Sequence, residues 1–192
     1  MSEPVFQIGR DENNRRTGGT AVYESAARGE LDQVAPGYFM KPFELPDHLA
    51  ALIAIRDRNP NATMCLGSAL VFHGLSDQIP TATEIALPRG QRPLVSKLGV
   101  QNWHSFDKKT FELGRELQVL DFGVEFAVYS AERTIVDLFR LSGPKTQIVA
   151  VEALKAWIAQ QGVSNLSNIL QVASKFPSAN KRVTEALRIL LA

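Results

Sequence analysis

Met64-Cys65-Leu66-Gly67-Ser68-Ala69-Leu70-Val71-Phe72-His73-Gly74-Leu75 is the densest apolar run in the chain. The run enters extended over Met64 to Leu66, and its pattern predicts a short helix from about Gly67 to His73. Gly74 suits the left-handed position that closes a helix, and Leu75 suits the apolar contact just beyond it. Leu66, Ala69 and Leu70 make one apolar stripe, with Val71 and Phe72 on its flanks. A helix apolar nearly all round is expected to be buried, so the other elements should pack on it. Ser68 and His73 form its polar pair.

Downstream, Thr83 to Leu87 alternates as a strand and stops at Pro88, and Arg89-Gly90-Gln91-Arg92-Pro93 follows as a basic loop. Val100 to Phe106 reads as a second strand, with Trp103 and His104 on opposite faces. Glu116 to Asp121 and Val124 to Tyr129 read as two more strands, joined at Phe122-Gly123. Asp121-Phe122-Gly123 spells a kinase magnesium triplet, but the rest of that motif set is missing, so it reads as a turn. Ser130 caps a helix from Ala131 to Leu141. Ile135, Val136, Leu138, Phe139 and Leu141 form its apolar side, with Arg133, Asp137 and Arg140 opposite.

Gly143-Pro144 breaks the chain, and three amphipathic helices with short loops follow. The first, Lys145 to Gln161, should bury Ile148, Val151, Leu154 and Ile158, with Trp157 beside them. Ser164 caps the second and Ser178 the third, which turns Val183, Ala186, Leu187, Leu190 and Leu191 inward.

Upstream, Asp47 is the expected N-cap of a helix reaching Arg58, with Leu49, Leu52 and Ile53 inward. Pro42 to Pro46 reads as a linker. Before it, Thr20 to Arg28 suits a short helix stopped by Gly29. Leu31 to Val34 and Tyr38 to Met40 flank Ala35-Pro36-Gly37 as a hairpin. Met1 to Gly19 is polar and reads either as a loosely docked terminus or as a basic arm carrying Arg15 and Arg16.

The chain has 192 residues, 45% hydrophobic and 21% charged, the composition of an ordinary soluble globular protein. A formal net charge of +1 gives no global field to attract nucleic acid, so any such affinity must come from local clusters. The single cysteine, Cys65, excludes an intramolecular disulfide and suits a reducing cytosol. No signal-like or membrane-spanning stretch is present, so a cytoplasmic location is expected.

Enzyme motifs fail on inventory. The three histidines, His48, His73 and His104, show no metal-ligand spacing with one another or with Cys65. No phosphate-binding glycine loop and no Gly-x-Ser-x-Gly elbow occur. Ser68 and His73 lie five residues apart on a helix, about 140° around its axis, so they make a poor nucleophile pair. No cofactor and no metal are expected. Arg133 and Asp137 read either as a solvated helical pair or as an aspartate orienting an arginine toward a partner or across the sheet.

Two segments carry a family resemblance. Ser68-Ala69-Leu70, then His73-Gly74-Leu75, then a strand ending at Pro88 before the basic loop, resembles the antitoxin domain of AbiEi-type proteins. These belong to bacterial type IV toxin–antitoxin systems. Ser130, Glu132, Arg133, Thr134, Asp137 and Leu138 match the second family signature, and the likeness covers roughly residues 47–141. The hairpin at Pro36-Gly37 resembles the tail of a winged helix-turn-helix, the module such proteins carry at the N-terminus; its earlier helices have almost no room here.

The expected fold is α+β. A short mixed β-sheet covered by helices carries a C-terminal three-helix unit and a small N-terminal winged-helix remnant. Residues 1–41 would form the partial winged helix or polar arm. Residues 42–192 would form the antitoxin domain, with the sheet core to about 141 and the helical extension over 144–192. The resemblance implies a non-enzymatic antitoxin and transcriptional autoregulator. It would counter a nucleotidyltransferase-like toxin without a stable complex and bind its own promoter DNA weakly. Arg15, Arg16, Arg28, Arg89, Arg92, Lys108 and Lys109 are the candidate DNA contacts. Ser68, His73, Gly74, Pro88, Arg133, Thr134 and Asp137 are the family-motif residues, structural or partner-binding. The other reading is a protein-interaction module, or a remnant antitoxin that no longer binds DNA specifically.

Overall fold

A computed structural model describes residues 4–8, 19–141 and 143–192. The fold is α+β, with a mixed sheet and a three-helix C-terminal unit. At the N-terminus, β1 (Val5–Gln7), α1 (Gly19–Ala27), β2 (Asp32–Ala35) and β3 (Tyr38–Met40) form a small antiparallel sheet in the order β1-β3-β2. The hairpin turns at Pro36-Gly37 as its sequence requires, with Gly37 at a positive φ of 86°. At Val5–Gln7 the reading of the terminus as loosely docked is corrected, while residues 1–3 and 9–18 lie outside the described residues. This strand pairs with β3, and Val5 is 3% exposed. A three-residue strand leaves almost no period to read in sequence.

The large sheet has the order β6-β5-β4-β8-β7. It comprises β4 (Thr63–Met64), β5 (Thr83–Pro88), β6 (Gln101–Phe106), β7 (Arg115–Val119) and β8 (Glu125–Tyr129). The two-residue β4 is its centre, antiparallel to β5 and parallel to β8. One face, through Met64, Ile85, Leu87, Phe126 and Val128, packs on α2 (Asp47–Arg58) and shares one apolar core with the N-terminal sheet. The other, through Ala86 and Tyr129, shares a second core with α3 (Leu66–Phe72), α4 (Ala131–Arg140), α5 (Pro144–Gln161), α6 (Leu166–Ala173) and α7 (Pro177–Leu190).

Helix α3 ends as read. Gly74 has φ +64°, its N–H reaches Val71 O, and Leu75 N–H reaches Leu70 O at 2.9 Å. This paired bonding closes the helix through a left-handed glycine. Leu75 is buried behind it. The hub, however, is α4, which packs against α3, α5, α6 and α7. Helix α3 sits at the sheet end, and its Val71–Phe72 side is open, 37% and 38% exposed.

Several caps and faces also differ from the sequence reading. Asp47 is the first helical residue of α2, after Pro46, and makes no cap bond. Ser164 lies in a 3-10 turn, and α7 begins at Pro177, so neither Ser164 nor Ser178 is an N-cap. Helix α5 buries Ala150, Ala153, Leu154 and Trp157, while Ile148 is 60% exposed. Small alanines at the contact let α5 approach α4 closely, which the larger Ile148 and Val151 would prevent. Leu191 is exposed beyond the end of α7.

Candidate functional site

The two motif segments meet at one carbonyl. His73, just past α3, places Nε2 2.7 Å from Tyr129 O at the end of β8. A carbonyl only accepts, so Nε2 carries the proton. Thr134 Oγ1 on α4 donates to the same oxygen at 3.4 Å. Ser68 Oγ accepts the Glu84 N–H at 2.9 Å, and Glu84 Oε2 accepts the Gly67 N–H at 2.6 Å. Ser68 and Glu84 thus pin the start of α3 to the start of β5. His104 Nε2 stands 3.4 Å from Glu84 Oε1, without hydrogen-bond geometry.

Ser130 caps α4 by accepting the Arg133 N–H at 3.3 Å, which sets the phase of the helix. That phase aims Arg133 inward. Arg133 and Asp137 side chains are 0% and 1% exposed, so the solvated-pair reading is corrected. Arg133 Nε donates to Asp137 Oδ2 at 2.9 Å, and Nη1 donates to Leu113 O at 2.8 Å and Thr110 O at 2.5 Å. The guanidinium lies between the rings of Tyr129, 4.5 Å away, and Phe176, 4.7 Å away. Arg140 Nη2 is 3.0 Å from Asp137 Oδ1 and its guanidinium covers the Phe106 ring at 4.7 Å. Desolvated cation–ring contacts of this kind are worth about 2 kcal/mol.

Gly114 makes the approach possible. Its φ is +68°, and a Cβ there would stand 2.8 Å from Arg133 Cβ. Burial sets the titration of this centre. It pushes the Asp137 carboxyl up, against the pull of Arg133 and Arg140. It also raises the Tyr129 phenol and the Cys65 thiol well above their ordinary ranges. The thiol is therefore a poor nucleophile.

The candidate DNA contacts divide into groups. β5 and β6 are parallel, with Pro88 opposite Phe106, and the Arg89 N–H donates to Phe106 O. The loops carrying Arg89 and Arg92, and Lys108 and Lys109, therefore leave the same end of the sheet, and all four residues are exposed. Asn59, at the end of α2, clamps the first loop. It donates to Arg92 O at 3.1 Å and accepts from Leu94 N–H at 3.0 Å. Asp107 orders the second by accepting the Lys109 N–H at 2.8 Å. Asp107 and Glu112 dilute this positive end. Arg28, after α1, is instead bound by Glu30 at 2.7 Å. Arg15 and Arg16 lie outside the described residues.

Glu84, Asn59 and Gly114 were not singled out by sequence. Each acts through a residue far along the chain, and no local spacing announces it. A groove of about 580 Å³ completes the inventory, bordered by His48, Leu52, Ser68, Val71, Phe72 and Val119. Among the described residues no cluster of histidine, cysteine and acidic side chains could hold a metal ion, and no helix is long and apolar enough to cross a membrane. Comparison of the chain with protein families and with curated proteins finds no match.

Proposed function

We propose that this chain is a non-enzymatic antitoxin and transcriptional autoregulator of a type IV toxin–antitoxin system. It acts in the cytoplasm and counters a nucleotidyltransferase-like toxin without holding it in a stable complex. The observation that carries the reading is the grouping of Arg89, Arg92, Lys108 and Lys109 on two loops at one sheet end. Cations spaced along a surface contact phosphates and position a protein on DNA without reading bases. The internal bonding of Ser68, His73 and Arg133 supports a structural role for the motif residues rather than a chemical one.

The test is fluorescence anisotropy on the protein's own upstream DNA across a salt series. Four phosphate contacts give a slope of about −3 to −4 for log affinity against log salt. Lys108→Ala/Lys109→Ala should make the slope shallower by about 2. Arg15→Ala/Arg16→Ala/Arg28→Ala should leave it nearly unchanged. If the N-terminal triple variant loses tight binding while the lysine variant keeps it, the N-terminal segment is the reader. Co-expression with a neighbouring nucleotidyltransferase-like gene tests the antitoxin half, and failure to restore growth would sink it. The open Val71–Phe72 side of the groove favours a second reading, a protein-interaction module. That reading requires neutralisation of the toxin without salt-dependent DNA affinity.

A further inference from the structure

We propose that β7 is a homodimerisation edge. A second copy of this chain would add its own β7 antiparallel about a two-fold axis at Gln118, joining two five-stranded sheets into one. This does not rest on the DNA reading.

The hydrogen-bond phase of the strand decides which groups are on offer. Arg115 faces Tyr129 across the ladder, Ser130 N–H donates to Gly114 O, and Leu120 N–H donates to Val124 O. Bonded and non-bonded pairs alternate in an antiparallel ladder. The even positions of β7 therefore bond to β8, and Arg115, Leu117 and Val119 turn their N–H and C=O groups outward. Among the described residues β7 pairs only with β8. The Arg115 N–H is taken by Glu112 O at 3.2 Å. Leu117 and Val119 remain as the outward pair.

That pair selects the register. With Gln118 on the axis, Leu117 of one copy faces Val119 of the other, and the reverse, in two bonded pairs. Centring on Leu117 would instead need the occupied Arg115 N–H. The chosen register also matches chemistry across the axis. Apolar Leu117 faces apolar Val119, Gln118 faces its own copy, and Arg115 faces Asp121 with no like charges opposed. Like strands meeting about a two-fold make an isologous contact, which closes at a dimer.

Edges are usually blunted by charged side chains, proline or a bulge. β7 has no proline and no bulge, its two charges, Arg115 and Glu116, stand together at its first end, and its register with β8 runs unbroken from Arg115 to Val119. Leu117 and Val119 are each 66% exposed, an apolar pair on an open edge. At the opposite edge, β6 exposes Asn102 and Ser105 instead. A single pair of short strands is small beside the 1,200 Å² or so of a stable interface, so association should be weak and concentration-dependent.

Gln118 gives the sharpest test. Across the axis it is a non-bonded pair, with Cα atoms about 4.5 Å apart, inside the disulfide window. The native Cys65 is 1% exposed and does not compete. Full-length Gln118→Cys should form a disulfide-linked dimer under mild oxidation, read on a non-reducing gel, and Ser105→Cys on β6 should not. In sedimentation from about 5 to about 500 µM, the wild-type mass should climb from monomer toward dimer. Val119→Lys and Leu117→Pro should each weaken that association by about tenfold or more. The proposal is overturned if the wild type stays monomeric throughout. It is equally overturned if Gln118→Cys, folded by circular dichroism, cross-links no better than Ser105→Cys.

Discussion

Arg133–Asp137 and Arg28–Glu30 are both arginine–carboxylate pairs, bonded at 2.9 and 2.7 Å. Distance does not separate them. Exposure does, at 0% and 1% for the first pair against 57% and 55% for the second. Water already stabilises both partners of the exposed pair separately, so forming it changes little. The buried pair has given up that solvation: Asp137 depends on Arg133 and Arg140, and Arg133 depends on Asp137, Thr110 O, Leu113 O and the two rings around it. A close contact in a sequence-local pair therefore says little about its weight until its surroundings are known.

The largest effect should come from breaking the buried pair. Arg133→Ala leaves Asp137 without its main partner and should cost about 3–5 kcal/mol in urea unfolding. Replacing both, as Arg133→Met/Asp137→Leu, should recover most of that loss. If the double variant is as unstable as the single one, the pair is a net stabiliser and the contrast with Arg28–Glu30 is not one of burial.

A smaller effect should appear at high pH, where burial acts through the ring beneath Arg133. The folded-state pKa of Tyr129 lies above its ordinary value of 10.0, because burial disfavours the phenolate. Tyr38 is raised too, by burial and by the Asp57 carboxylate that its hydroxyl bonds at 2.6 Å. Between the unfolded and folded values the native state holds more protons. Stability is then complete below pH 10 and declines as pH rises past it. Melting from pH 8 to 11 should show the decline, and Tyr129→Phe should flatten it. An unchanged slope in Tyr129→Phe would assign the effect elsewhere.

The smallest effect belongs to the exposed pair. Arg28→Ala should leave the urea midpoint close to that of the wild type, because solvent screens the exposed pair. A loss comparable to that of Arg133→Ala would erase the distinction.

The same contrast marks what could be read from sequence. Helix ends set by local chemistry were legible: Gly74 closing α3 and Ser130 capping α4. The strands with a clear two-residue period were legible too. β4 was read only as an extended entry, because a two-residue strand has no period, though it centres the sheet. The burial of Arg133 was not legible, because its partners Thr110 and Leu113 lie 23 and 20 positions away. Helix α5 carries two apolar stripes, and only the surface of α4 selects the one with alanines. At the basic end, the charged residues were visible, but their convergence depends on the parallel register of β5 and β6.

The placement of Phe176 over Arg133 also has a consequence for the order of folding. The loop carbonyls that receive the guanidinium precede it in the chain, whereas the ring that covers it arrives from the turn before α7. A chain emerging from the ribosome can complete every strand of the large sheet and still have Arg133 open on one side. The sheet and the C-terminal helices are thereby tied into one cooperative unit, and a nascent chain halted before Phe176 would expose the charged centre to the quality-control machinery.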